Sequence, residues 1–182
     1  MSLEIFEEMK TFVGFSQIDR DNLVKLKPTF HYQIPRIAEE IQGTLKRIPA
    51  TAELTQGKNK GLKHSHIHWM NRLFEGEYGE DYFLNRRDIG VAHVGIRLPP
   101  HFVEGIMSHV RSRAFEIILD NQPDSKQAIK EYDSILKILD LDLLIINNAY
   151  RDERLDRIFN ITGISRPLVE RLIEQGGAAT TH

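Results

Sequence analysis

The sequence predicts an all-α chain. Apolar residues recur at spacings of three and four through most of the 182 residues, the period of one helix face. Turn signals punctuate these runs at Gly14, Pro28, Pro49, the EGEYGEDYF stretch, Pro99–Pro100 and the NQPDS stretch. No strand-like alternation, internal repeat or low-complexity block interrupts the pattern.

Residues 3–13 open the chain as an amphipathic helix with Ile5, Met9 and Phe12 on one side, ended by Gly14. Ser16 and Asp19 form an approximate capping box for the next helix, which offers Ile18, Leu23 and Leu26 for burial. Pro28 is expected to break that helix, and Pro35 suits a first helical turn. Ile34, Ile37, Ala38, Ile41, Leu45 and Ile48 then keep a clear helical period, with Gln42 on its flank. Pro49 closes the segment, and TAELTQGKNKG reads as a polar connection.

Two histidines follow at positions where leucine is expected. In GLKHSHIHWMNRLFEGE, Leu62, His66, Trp69 and Leu73 share one face of a helix. His64 and His68 project to the other side with Lys60, Lys63, Asn71 and Arg72, so HSHIH is not one cluster. Without a third ligand that pair reads as solvated rather than as a zinc site. NRRDIGVAHVGIRLPP repeats the pattern with Ile89, His93 and Ile96. A buried imidazole without a partner costs about 1–3 kcal/mol, and a metal shared by His66 and His93 is the economical partner.

The second histidine helix is expected to start near Asn85 and to stop at Pro99 and Pro100. HFVEGIMSHVRSRAFEIIL continues as a long helix with Val103, Ile106, Val110, Ala114 and Ile117 inward. Ser125 is the expected N-cap of the longest helix, which reaches Leu155. One stripe on it reads Tyr132, Leu136, Leu139, Leu143, Ile146, Tyr150, and a second reads Ile135, Ile138, Ile145, Ala149. Two stripes offer more apolar surface than one core covers, which predicts a self-association face; the alternative is that both lie inside one domain. A short terminal helix and a flexible GGAATTH tail complete the chain.

Composition narrows the function. A formal net charge of -2 with interspersed signs gives no nucleic-acid surface. The absence of cysteine excludes disulfides, iron–sulfur clusters, thiolate zinc sites and thioether-linked cofactors. The acidic start MSLEIFEEMK is no signal peptide, and Leu139–Ile146 is too short and too charged to span a bilayer. A cytoplasmic protein without membrane contact is expected. No glycine-rich phosphate loop, nucleophile–base pair or metal-ligand cassette marks an enzyme.

The run Leu73-Phe74-Glu75-Gly76, then Tyr82-Phe83, then Arg86-Arg87-Asp88-Ile89-Gly90-Val91-Ala92-His93-Val94-Gly95-Ile96-Arg97-Leu98-Pro99 resembles the globin-coupled sensor and protoglobin branch of the globins. The extra N-terminal helix before Ser16 and the long final helices are similar to that branch as well; the resemblance spans residues 5–155. It implies a globin fold of the sensor variant, a homodimer built from the last two long helices, and haem b (iron protoporphyrin IX) with His93 as proximal ligand. Where the family often carries a tyrosine that donates to dioxygen, this chain has Gln42, and Ser65 is placed for the family's distal serine or threonine. Leu62, Trp69, Met70 and Val94 read both as core and as cofactor walls. Arg86, Arg87 and Arg97 are candidates to neutralise propionates.

Three readings stand for His66: a second axial ligand that makes the iron six-coordinate, a distal hydrogen-bond donor, or a satisfied core histidine. The first is preferred, because His66 shares its pocket with His93 and its departure would then couple ligand binding to helix displacement. The expected function is a haem sensor of dioxygen, other diatomic gases (O2, CO, NO) or redox state. Residues 1–155 form its sensor globin domain, and 156–182 form an extension or the start of a linker to an output module outside this sequence. The alternative is a free-standing haem globin for gas binding, nitric oxide detoxification or electron transfer.

Overall fold

The computed structural model describes residues 1–57 and 59–178. Among these the chain forms helices α1 (Leu3–Phe12), α2 (Gln17–Arg47), α3 (Pro49–Thr55), α4 (Asn59–Arg72), α5 (Glu80–Gly95), α6 (Pro100–Asn121), α7 (Ser125–Thr162) and α8 (Arg166–Ala178), and no strand. The last four residues of the expected tail, 179–182, lie outside the described residues. No described helix is long and apolar enough to cross a membrane.

α2 runs unbroken through both prolines, against the expected break at Pro28. Each proline removes one backbone donor and crowds the preceding turn, but both sit on the exposed side of the helix. The opposite side buries Leu23, Leu26, Phe30, Ile34, Ile37, Ile41 and Leu45 in one line, and burial at about 1.5–3 kcal/mol per large side chain outweighs the local loss. The capping box is present: the Asp19 carboxylate accepts from the Ser16 amide at 2.7 Å and from its hydroxyl at 3.0 Å. Ile18, however, stays 68% exposed. Downstream, the stretch expected as a polar connection contains α3, with Pro49 in its first turn. The Thr51 hydroxyl donates to the Leu45 carbonyl at 2.6 Å and so closes the end of α2.

α1 turns a different face inward from the one its periodicity suggests. Phe6 and Lys10 are buried, whereas Phe12 is 84% exposed. Its partners decide this: Phe6 stacks on Phe83 at 5.8 Å, and Lys10 donates to the Tyr78 carbonyl at 3.0 Å. α5 begins at Glu80, five residues before the expected Asn85, with Glu80 and Asp81 complementing its N-terminal dipole. The N-cap of α7 is Asp124 rather than Ser125; its carboxylate accepts from the Lys126 and Gln127 amides at 2.9 and 3.4 Å. α7 continues past Leu155 to Thr162 and ends at Gly163, where φ is +72°.

α7 is the central helix, packed against α5, α6, α2 and α1. Ile135, Ile138, Leu139, Ile145, Ile146 and Ala149 are buried, while Tyr132, Leu136, Leu143 and Tyr150 of its other stripe are half-buried. The closest approach is at Gly90 of α5, where an added Cβ would stand 2.4 Å from the Ile146 carbonyl oxygen and 2.8 Å from the Ala149 Cβ. Gly90→Ala should therefore separate α5 from α7 and lower the stability of the chain by about 1–3 kcal/mol in denaturant titrations. Gly95→Ala, where nothing lies within 4 Å of the new Cβ, should leave stability within about 0.5 kcal/mol of the parent.

Candidate functional site

α4 packs closely along α2 but, among the described residues, not along α5, α6 or α7. A cleft remains between α4 and α5. Leu62, Ser65, His66 and Trp69 of α4 line it, facing Ile89 and His93 of α5, with Val103, Ile106 and Met107 of α6 and Ile146 of α7 completing the wall. The three- and four-residue steps from Leu62 to Trp69 and the four-residue step from Ile89 to His93 put these side chains on single helix faces. His64 and His68 are exposed on the other side of α4.

The cleft is apolar apart from its two imidazoles and the rim. Nδ1 of His66 and Nδ1 of His93 are both buried and have no hydrogen-bond partner. Burial, helped at His66 by the neighbouring His93, lowers each pKa from 6.5 to about 4. Both rings are neutral at pH 7, the form that binds metals. No group of three or more metal-ligating side chains occurs among the described residues. Two imidazoles alone do not complete the tetrahedral or octahedral shell of a bare divalent ion. They suit a metal whose remaining ligands come with it, in a macrocycle that fills an apolar slot. The residues present fit haem.

The other residues singled out from the sequence divide. Leu62, Ser65 and Trp69 line the cleft with the two histidines. The Ser65 hydroxyl is turned back to its own helix, donating to the Gly61 carbonyl at 3.0 Å. Gln42, Met70 and Val94 are buried and do not line the cleft. Arg87 and Arg97 are exposed and also outside the wall; Arg97 takes a left-handed conformation, φ +59°, in the turn after α5.

Arg86 corrects the expectation most sharply. It is fully buried, and instead of meeting a cofactor carboxylate it pairs with Asp142 of α7, Nε to Oδ2 at 2.8 Å. The same Oδ2 accepts from the Trp69 indole at 2.8 Å, and Oδ1 accepts from the Tyr82 hydroxyl at 2.5 Å. Arg86 also donates to the Trp69 carbonyl at 3.2 Å and to the Asn85 side chain at 2.6 Å, and it lies over the Tyr82 ring at 4.1 Å. Burial alone favours the neutral form of both groups, but three donors converge on one carboxylate. We take the pair as ionised, with the Arg86 pKa raised by Asp142 against its own desolvation. Neither Asp142 nor Tyr82 was an expected participant. The available signal was a gap: in the stripe Ile135, Ile138, Ile145, Ala149, the missing core position is 142.

An all-helical body with one histidine on each side of an apolar cleft defines a haem-binding globin. Residues 3–156 match the Protoglobin family, and the chain belongs to it. Among solved structures, the globin domain of the Geobacter sulfurreducens globin-coupled sensor is similar, with a TM-score of 0.76 and 34% identity over 80% of this chain and 97% of that one. Comparison with curated proteins gives no match.

Two outcomes follow from the electrostatics. Asp142→Leu should destabilise the chain by about 3–5 kcal/mol, because it leaves the Arg86 charge buried without a counter-ion, and Asp142→Leu with Arg86→Met should recover most of the loss; denaturant titration reads both. In the haem-free chain, unfolded His66 and His93 bind protons near pH 6.5, whereas the folded pair does so only near pH 4. The unfolded state therefore binds more protons between these values. Stability should be complete above about pH 6.5 and fall as pH drops towards 4, with a shallower fall in His66→Leu.

Proposed function

We propose that the chain is a haem-based sensor of a diatomic gas or of redox state, with haem b held between His93 as proximal and His66 as distal ligand. One observation carries this reading: two half-buried imidazoles line the same apolar cleft, each with a buried ring nitrogen that the protein leaves without a partner. The likeness to a globin-coupled sensor domain supports the sensing role. Bound haem supplies an iron that takes imidazole or a diatomic ligand and cycles between ferrous and ferric.

The chain's own residues do the rest. Leu62, Trp69, Ile89 and Ile106 exclude water from the cleft. His93 stays on α5, which Gly90 locks against α7. His66 would hold the iron from the α4 side, so an external ligand would bind only in the fraction of time that His66 is away. Ligand binding and displacement of α4 would then be one event.

Residues 1–155 form the sensor domain in this reading, and 156–182 begin the path to an output module. The chain itself is a binding module, not an enzyme. A second copy would cover the half-buried stripe of α7 and the neighbouring α6 face, where Phe115 is 47% and Leu119 is 54% exposed. A cytoplasmic location belongs to the same proposal.

Absorption spectra test the ligand assignment. The purified protein should be low-spin and six-coordinate in both oxidation states. His93→Ala should abolish haem retention; unchanged retention would reject His93 as proximal ligand. His66→Leu suits the helix face and should fold, become five-coordinate in the ferrous state and bind carbon monoxide at least about tenfold faster. An unchanged on-rate would reject the gate.

A further inference from the structure

We propose that Asp142 is a positioning residue for the distal histidine: its bond to the Trp69 indole ties α4 to α7 and sets how readily His66 leaves. The inference rests on the two-histidine reading above and extends it to the control of that site. His66 and Trp69 lie three residues apart on α4 and line the same cleft, so a shift of one carries the other. The backbone of α4 lies close to α2 and not to α5 or α7. Its polar ties across the back of the cleft run through Trp69: the indole N–H to Asp142 Oδ2 at 2.8 Å, and the carbonyl accepting from Arg86 at 3.2 Å.

Asp142 and Trp69 are both buried, so water cannot replace the bond when it stretches. A hydrogen bond to a charged group in such a place resists displacement more than a neutral one. The Tyr82 hydroxyl holds the other oxygen of the same carboxylate at 2.5 Å, but from α5. Tyr82 braces α5 on α7, and its hydroxyl bonds Asp142 rather than any residue of α4. The two bonds are close in burial and acceptor and differ in the helix they restrain, which allows the positioning role to be separated from simple stabilisation.

Trp69→Phe keeps an aromatic wall and deletes the N–H; Tyr82→Phe deletes the O–H. The rate of carbon monoxide binding to the ferrous haem protein at saturating gas reads the departure of His66. W69F should raise it about fivefold or more, the range open to loss of one buried charge-assisted hydrogen bond, while Y82F stays within about twofold of the parent. In the haem-free chain, amide hydrogen exchange along α4 should quicken in W69F and not in Y82F. Replacement of Trp69 by benzothienylalanine, which keeps the bicyclic shape without the N–H, serves where W69F does not fold. A parent-like rate in these position-69 variants, or equal acceleration by Y82F, overturns the positioning role and leaves the histidine assignment standing. A parent that is five-coordinate in the ferrous state overturns both.

Discussion

The relation between the two histidine helices depends on a carboxylate that never meets solvent. Asp142 lies on α7 with no exposed surface, as does Arg86 on α5. Taking two such charges out of water costs several kcal/mol each, and only close pairing with further hydrogen bonds offsets it. Arg86, Tyr82 and Trp69 provide that pairing from α5 and α4. Apolar residues of the same volume would fill the space at less cost. What they would not supply is a fixed lateral position for three helices that meet behind a cleft. The many exposed ion pairs of the chain, such as Arg36 with Glu40, contribute little by comparison.

That fixed position matters because α4 is the least embedded of the helices around the cleft. It rests on α2, and the space between it and α5 is where the two imidazoles lie. A core optimised for stability would close this space and would not bury two rings with unpartnered nitrogens. Each ring is held neutral by burial at a cost that grows as the solution becomes acidic. Unfilled hydrogen-bonding capacity in an apolar slot is a structural cost that a bound metal removes. Such local conflicts between stability and sequence pattern concentrate at functional sites.

Helical phase was enough to separate His66 and His93 from His64 and His68, because burial on a helix follows a period that the sequence displays directly. It was also enough for the inward face of α6 and for the capping box at Ser16. It failed where a distant partner made the choice. Phe6 rather than Phe12 turns inward because Phe83 and Tyr78 stand on that side. Pro28 and Pro35 do not break α2 because a long buried line on its other face holds it together. The destiny of Arg86 was hidden for the same reason: its partner lies 56 positions away, and nothing local distinguishes it from Arg87. The gap at Asp142 in an otherwise apolar stripe was legible and informative, since a charge at a core position demands a buried counter-charge.

α7 joins these observations. Within little more than two turns it carries Asp142, which holds Trp69, then Ile146, which forms part of the cleft wall and touches Gly90 through its carbonyl, and then Ala149. The helix continues to Thr162, beyond residue 156 where the family match ends. The contact at Gly90 leaves no slack between α5 and α7, whereas α4, packed on α2, reaches α7 through the Trp69 indole and α5 through the Trp69 carbonyl. In the sensor reading proposed above, an asymmetric mounting of this kind would make α4 the element that yields and α7 the element placed to register it.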